Sequence, residues 1–97
     1  MALGLVPVVV GYAGPNELVT DATGFRVPLG TRQEVITRFQ DVLTRLADHP
    51  EQLVAFRERA RERVFTHFTW EAKAKQVLEV YRWVLGQRDK PNFGMPL

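Results

Sequence analysis

Residues 7–19, PVVVGYAGPNELV, decide the fold. The run Pro7-Val8-Val9-Val10 is wholly apolar and ends at Gly11-Tyr12-Ala13-Gly14. A short apolar run bounded by glycine predicts a strand buried on both faces, as in parallel sheets. Three successive β-branched valines are stiff at χ1 and disfavour a helix there. Pro15 suits a first helical turn, where its missing N–H costs nothing, so a helix is predicted from Pro15 with Glu17 in its first turn. Strand, glycine turn and helix start is how open α/β sheets build crevices at the carboxyl ends of their strands. It is also what any parallel α/β unit needs, so the turn alone names no function.

Outward from that stretch, Met1 to Leu5 reads as the last turn of a helix, with Gly4 near its end. Phe25-Arg26-Val27 alternates apolar and polar into Pro28, predicting a short second strand near a sheet edge, where Arg26 must find solvent or a partner. Thr31 and Glu34 have capping-box spacing. Behind them Val35, Ile36, Phe39, Val42, Leu43 and Leu46 fall on one helical face. Asp48-His49-Pro50 stops that helix and starts another, whose thinner stripe is Leu53, Phe56, Ala60 and Val64. Thr69 is placed to cap a third. In this last helix Trp70, Ala74, Val77, Leu78, Tyr81, Val84 and Leu85 share one face, and Trp70 and Tyr81 read as core rather than recognition surface. Gly86 ends it, and residues 87–97 read as an extended tail in which Phe93, Met95 and Leu97 are apolar enough to dock. The fold class is therefore α/β: short parallel strands plus three long helices, mostly helical by residue count. Two strands leave their outer edges unpaired, so the pattern suits the back end of a larger α/β domain.

The chain has 97 residues, which allows one domain with a small core. Thirteen basic residues against eleven acidic give a net charge of +2, too near balance to argue for nucleic acid. With no cysteine, disulfides and thiolate metal sites are excluded, and a cytoplasmic location is expected. The apolar N-terminus lacks the basic flank of a signal peptide, and no run is long enough for a membrane span.

Little in the chain points to catalysis. His49 and His67 sit at helix junctions, with no carboxylate spacing that suggests a metal. No zinc-protease, nucleophile-elbow or phosphate-loop pattern occurs. The charges from Arg57 to Arg63 alternate in sign, so a solvated face with Glu58–Arg61 and Arg59–Glu62 pairing is expected. Glu17 has two readings: a helix-dipole partner, or a crevice residue.

Taken in order, MALG, PVVV, AGPNELV, TGFRVP, a helix ending LADHP, and RARERVFTHFTWEAKAKQVLEVY resemble the closing section of the family 4 glycosyltransferases. The resemblance spans roughly Met1 to Leu85, and it departs from the family at Gly4-Leu5-Val6-Pro7, one residue longer than the usual glycine, one residue, Pro-Val. It implies the GT-B architecture, two Rossmann-like domains facing across a cleft, with residues 1–86 as the C-terminal part of the nucleotide-sugar-binding domain. It implies transfer of a sugar from a nucleotide-sugar donor to a sugar or lipid acceptor, usually without a metal or other cofactor. In such enzymes two glutamates separated by seven residues hold the donor, and the match of Met1-Ala2 to the end of the second glutamate's motif places both before Met1. What carries over is the cleft-floor loop, with Gly14, Asn16 and Glu17 as substrate-binding candidates and Gly14 allowing close backbone approach. Residues 1–97 alone are expected to be inactive, and either marginally stable or self-associating. A reading of another class is a non-catalytic helical module that binds protein through Arg57–Arg63 and the Phe93–Met95 tail.

Overall fold

The computed structural model describes residues 1–94. The order is β1 (Val8–Val10), α1 (Ala13–Leu18), β2 (Phe25–Val27), α2 (Arg32–Asp48), a 3₁₀ turn (Pro50–Gln52), α3 (Leu53–His67) and α4 (Trp70–Val84). The two strands pair parallel, with Val8 opposite Phe25, Val9 opposite Arg26 and Val10 opposite Val27. The chain is thus α/β and mostly helical. Its two-stranded sheet falls short of a Rossmann-like unit.

The valines of β1 are half-buried rather than covered on both faces, and among the described residues β2 is the one strand paired with β1. What is fully enclosed lies just after: Val19 and Val27 at 0% and 2% exposure, with Thr23 and Gly24 buried beside them. Gly24 is where β1 and the start of β2 approach most closely. A β-carbon there would lie 2.6 Å from the Pro7 carbonyl oxygen and 2.8 Å from Val19 Cγ1, so only glycine fits. The Thr20 amide donates to Thr23 Oγ1 at 2.9 Å, which satisfies the buried hydroxyl and fixes the loop.

Both predicted threonine caps form. Thr31 Oγ1 accepts from the Glu34 amide at 3.2 Å and itself donates to Glu34 Oε1. Thr69 Oγ1 accepts from the Ala72 amide at 3.1 Å. On α2, Val35, Phe39, Val42 and Leu46 turn inward while Ile36 and Leu43 stay exposed, so the apolar face is only partly covered. On α3, Phe56 stacks on Phe25 with ring centroids 4.7 Å apart, and Ala60 is fully buried, its small side chain allowing close packing.

The core placement expected of Trp70 and Tyr81 fails. The face carrying Trp70, Val77, Leu78, Tyr81 and Val84 is open to solvent, with Trp70 91% exposed. The side that packs is Ala72, Gln76 and Val80, and Gln76 Nε2 donates to the His67 carbonyl at 3.1 Å. Amphipathic spacing shows which face is apolar, and here the fold offers that face nothing to cover it. The radius of gyration, 16.5 Å, exceeds the roughly 13 Å of a compact domain of about 100 residues, because α4 projects as an arm. Residues Gln87 to Gly94 double back without helix or strand. Arg88 pairs with Glu79 at 2.6 Å, Lys90 lies 5.7 Å over Trp83, and Phe93 is half-buried. Met95 and Leu97, named above as docking residues, lie outside the described residues. Among those residues no helix is long and apolar enough to cross a membrane.

Candidate functional site

β1 leads into the turn through two backbone bonds, the Gly11 amide to the Val27 carbonyl at 2.8 Å and the Tyr12 amide to the Val10 carbonyl at 2.8 Å. The chain then reverses at Ala13, whose φ of 53° puts a non-glycine residue in the left-handed region. The neighbouring glycine, Gly14, does not make this adjustment. Gly14 instead has ordinary dihedrals, and nothing lies within 4 Å of where its β-carbon would stand. The space beside Gly14 is therefore open.

Because α1 begins at Ala13 rather than Pro15, Glu17 sits past the first turn, which contains no acid. The dipole explanation for Glu17 loses its geometry. The end of α1 is held from afar. Arg63 of α3 donates from Nε to the Leu18 carbonyl and from Nη2 to the Glu17 carbonyl, each at 2.8 Å. Arg59 Nε reaches the Ala22 carbonyl at 2.6 Å. The Arg63 guanidinium satisfies carbonyls that a six-residue helix leaves unpaired, and Arg59 does the same for the loop that follows. The run Arg57–Arg63 is thus not simply a solvated face, and neither Glu58–Arg61 nor Arg59–Glu62 forms an ion pair among the described residues.

Arg26 makes the matching clamp from the sheet side. Its Nη2 and Nε donate to Asp21 Oδ1 at 2.8 and 3.3 Å, and its Nη1 to Asn16 Oδ1 at 3.2 Å. Between these clamps lies an open crevice of about 400 Å³, bounded by Ala13, Asn16, Glu17, Thr20, Arg26 and Arg63, with Gly94 of the returning tail at its rim. Two of the three predicted residues, Asn16 and Glu17, line it, and Gly14 does not. The two arginines were the missing members. Arg26 had one sequence signal, a charged residue inside a short apolar strand; Arg63 had none, since its partners lie 45 and 46 residues away.

The crevice offers a carboxylate, an amide and two guanidiniums, a set suited to gripping a polar ligand with an anionic part. Arg63 Nη1 is the guanidinium nitrogen not spent on Leu18 or Glu17. No histidine borders it: His49 stands 3.2 Å from Glu51 at the α2 terminus. His67 lies at the end of α3, where desolvation and then the charges of Arg63 and Lys73 push its pKa below the ordinary value. Among the described residues no three His, Cys, Asp or Glu side chains converge as a metal site.

Comparison with protein-family models, curated proteins and solved structures found no match in any of the three.

Proposed function

We propose that this chain is the C-terminal section of the nucleotide-sugar-binding domain of a family 4 glycosyltransferase. It would serve transfer of a sugar from a nucleotide-sugar donor to a sugar or lipid acceptor, from a Rossmann-like domain of the GT-B type in the cytoplasm. The observation that carries this reading is the parallel pairing of β1 and β2 across a glycine turn and short helix, which sets Asn16 and Glu17 at one crevice beyond the strand ends. The six ordered sequence segments support it as well. Glu17 and Asn16 would contact the sugar or ribose hydroxyls, and the guanidinium side of the crevice would face the phosphates. Transfer needs donor and acceptor held in register and charge stabilised on the departing phosphate, and no acid–base pair in the described crevice supplies that. Residues 1–97 alone should therefore transfer no sugar.

Amide NMR titration of the chain with UDP, GDP and their glucose and mannose conjugates tests the reading. Weak, saturable shifts confined to residues 11–17, 26 and 63, and lost in Glu17→Ala, are expected. Absence of shifts with every nucleotide would remove the donor-site assignment. The second reading, a helical protein-interaction module, is favoured by one observation of its own, the uncovered face of α4.

A further inference from the structure

We propose that residues 87–94 form a strap that narrows the crevice in the empty protein and must be released for a ligand to enter. Closure of the strap stands on the contacts of the segment itself; its effect on ligand binding rests on the donor-site reading. α4 ends in a turn that sends the chain back on itself. The Gln87 amide donates to the Arg82 carbonyl at 2.9 Å and the Gly86 amide to the Trp83 carbonyl at 3.0 Å, the paired bonds of a Schellman motif. Gly86 takes the left-handed φ of 74° that the motif needs and that a β-carbon resists. Fifteen residues make α4 roughly 22 Å long, and eight extended residues cover at most roughly 27 Å. The segment is thus long enough to run back from the far end of α4 to the crevice, where Gly94 stands with Asn16, Glu17 and Arg63.

The segment is latched on the way. Glu79 holds Arg82 through Oε1 at 2.8 Å and Arg88 through Oε2 at 2.6 Å, so one carboxylate is shared between helix and strap. Lys90 adds a cation–π contact, 5.7 Å over the Trp83 ring. Phe93 is half-buried, and the Gly94 amide donates to Asn92 Oδ1 at 2.9 Å, which shapes the end that meets the rim. The latch is weak enough to release: exposed ion pairs shift an equilibrium by factors of roughly two to five. The end it delivers is neutral. Asn92, Phe93 and Gly94 bring no carboxylate to the crevice, so Arg63 Nη1 stays available to an anion while the strap narrows the entrance. A ligand that displaces the strap binds with its intrinsic affinity reduced in proportion to the open fraction.

Because the chain has no cysteine, a nitroxide on Asn92→Cys reads closure without any ligand. In the labelled full chain the amides of Asn16, Glu17 and Thr20 should broaden. Adding Arg88→Glu, which sets a carboxylate against Glu79, should restore much of the lost intensity, whereas Arg88→Lys should keep the broadening. In the unlabelled chain UDP should bind Arg88→Glu about threefold more tightly than the wild type. Saturating UDP should also move the wild-type Gly94 amide toward its position in Arg88→Glu. Sharp crevice amides beside the label, broadening that Arg88→Glu leaves intact, or equal UDP affinity for the two chains would each overturn the proposal. UDP that shifts neither chain, with the label pattern intact, would remove the donor reading and leave closure by the strap standing.

Discussion

The two ends of this molecule close their surfaces in opposite ways. At the sheet end, short and poorly capped elements are fixed by polar clamps from distant residues: Arg26 on Asp21 and Asn16, Arg59 on Ala22, Arg63 on Glu17 and Leu18. At the other end α4 is a well-capped, 15-residue helix whose apolar face the described residues leave largely open. The local signals are therefore strongest where the tertiary packing is weakest. A helix can be well specified by its own sequence and still be energetically detached from the domain that carries it.

The sharpest way to break the sheet end is Gly24→Ala. Its β-carbon would meet the Pro7 carbonyl, a backbone atom that cannot rotate away, so urea denaturation should show a loss of about 3 kcal/mol. Arg63→Ala comes next. It strips two carbonyls of their charged donors and should cost about 2 kcal/mol, with Arg63→Lys recovering only part because one ammonium cannot reproduce the fork. In the arm, Thr69→Ala should cost about 1 kcal/mol through the lost cap, and amide exchange should rise in the first turn of α4 but not in β1 or β2. Trp70→Ala, measured on the dilute monomer, should change stability by less than about 0.5 kcal/mol. A larger loss would mean that the indole is covered within the single chain.

The smallest effect is expected at His67, where the two ends join. Its folded pKa is depressed, so the unfolded chain binds more protons once the pH drops below the ordinary value of 6.5. The neutral ring carries no penalty above that pH. Stability is lost as the pH falls through the window from 6.5 down to the lower folded value. His67→Gln should flatten that part of the stability–pH curve and leave the curve above pH 7 in place.

What could be read from sequence follows from distance along the chain. The caps at Thr31 and Thr69 were legible because donor and acceptor lie three residues apart, and the parallel strands because valine runs and glycine turns are local. The start of α1 was misplaced from Ala13 to Pro15, since nothing in an alanine announces a left-handed φ. Half of the crevice was legible, Asn16 and Glu17, as neighbours of the turn. The arginines that complete it act across 10 residues for Arg26 and 45 for Arg63, and no periodicity encodes such a pairing. The apolar stripe of α4 was correctly traced, but a stripe carries no information on whether its partner lies within the same chain.

The reach of Arg63 also orders events during synthesis. Leu18 and Glu17 leave the ribosome 45 and 46 residues ahead of the guanidinium that binds their carbonyls. Until α3 has emerged and swung back, the end of α1 lacks these two donors for its carbonyls. The end of α1 thus waits for residues that follow it by more than 40 positions. A translational pause placed before codon 63 should lengthen the time for which that end is open to chaperones, whereas a pause after α3 should not.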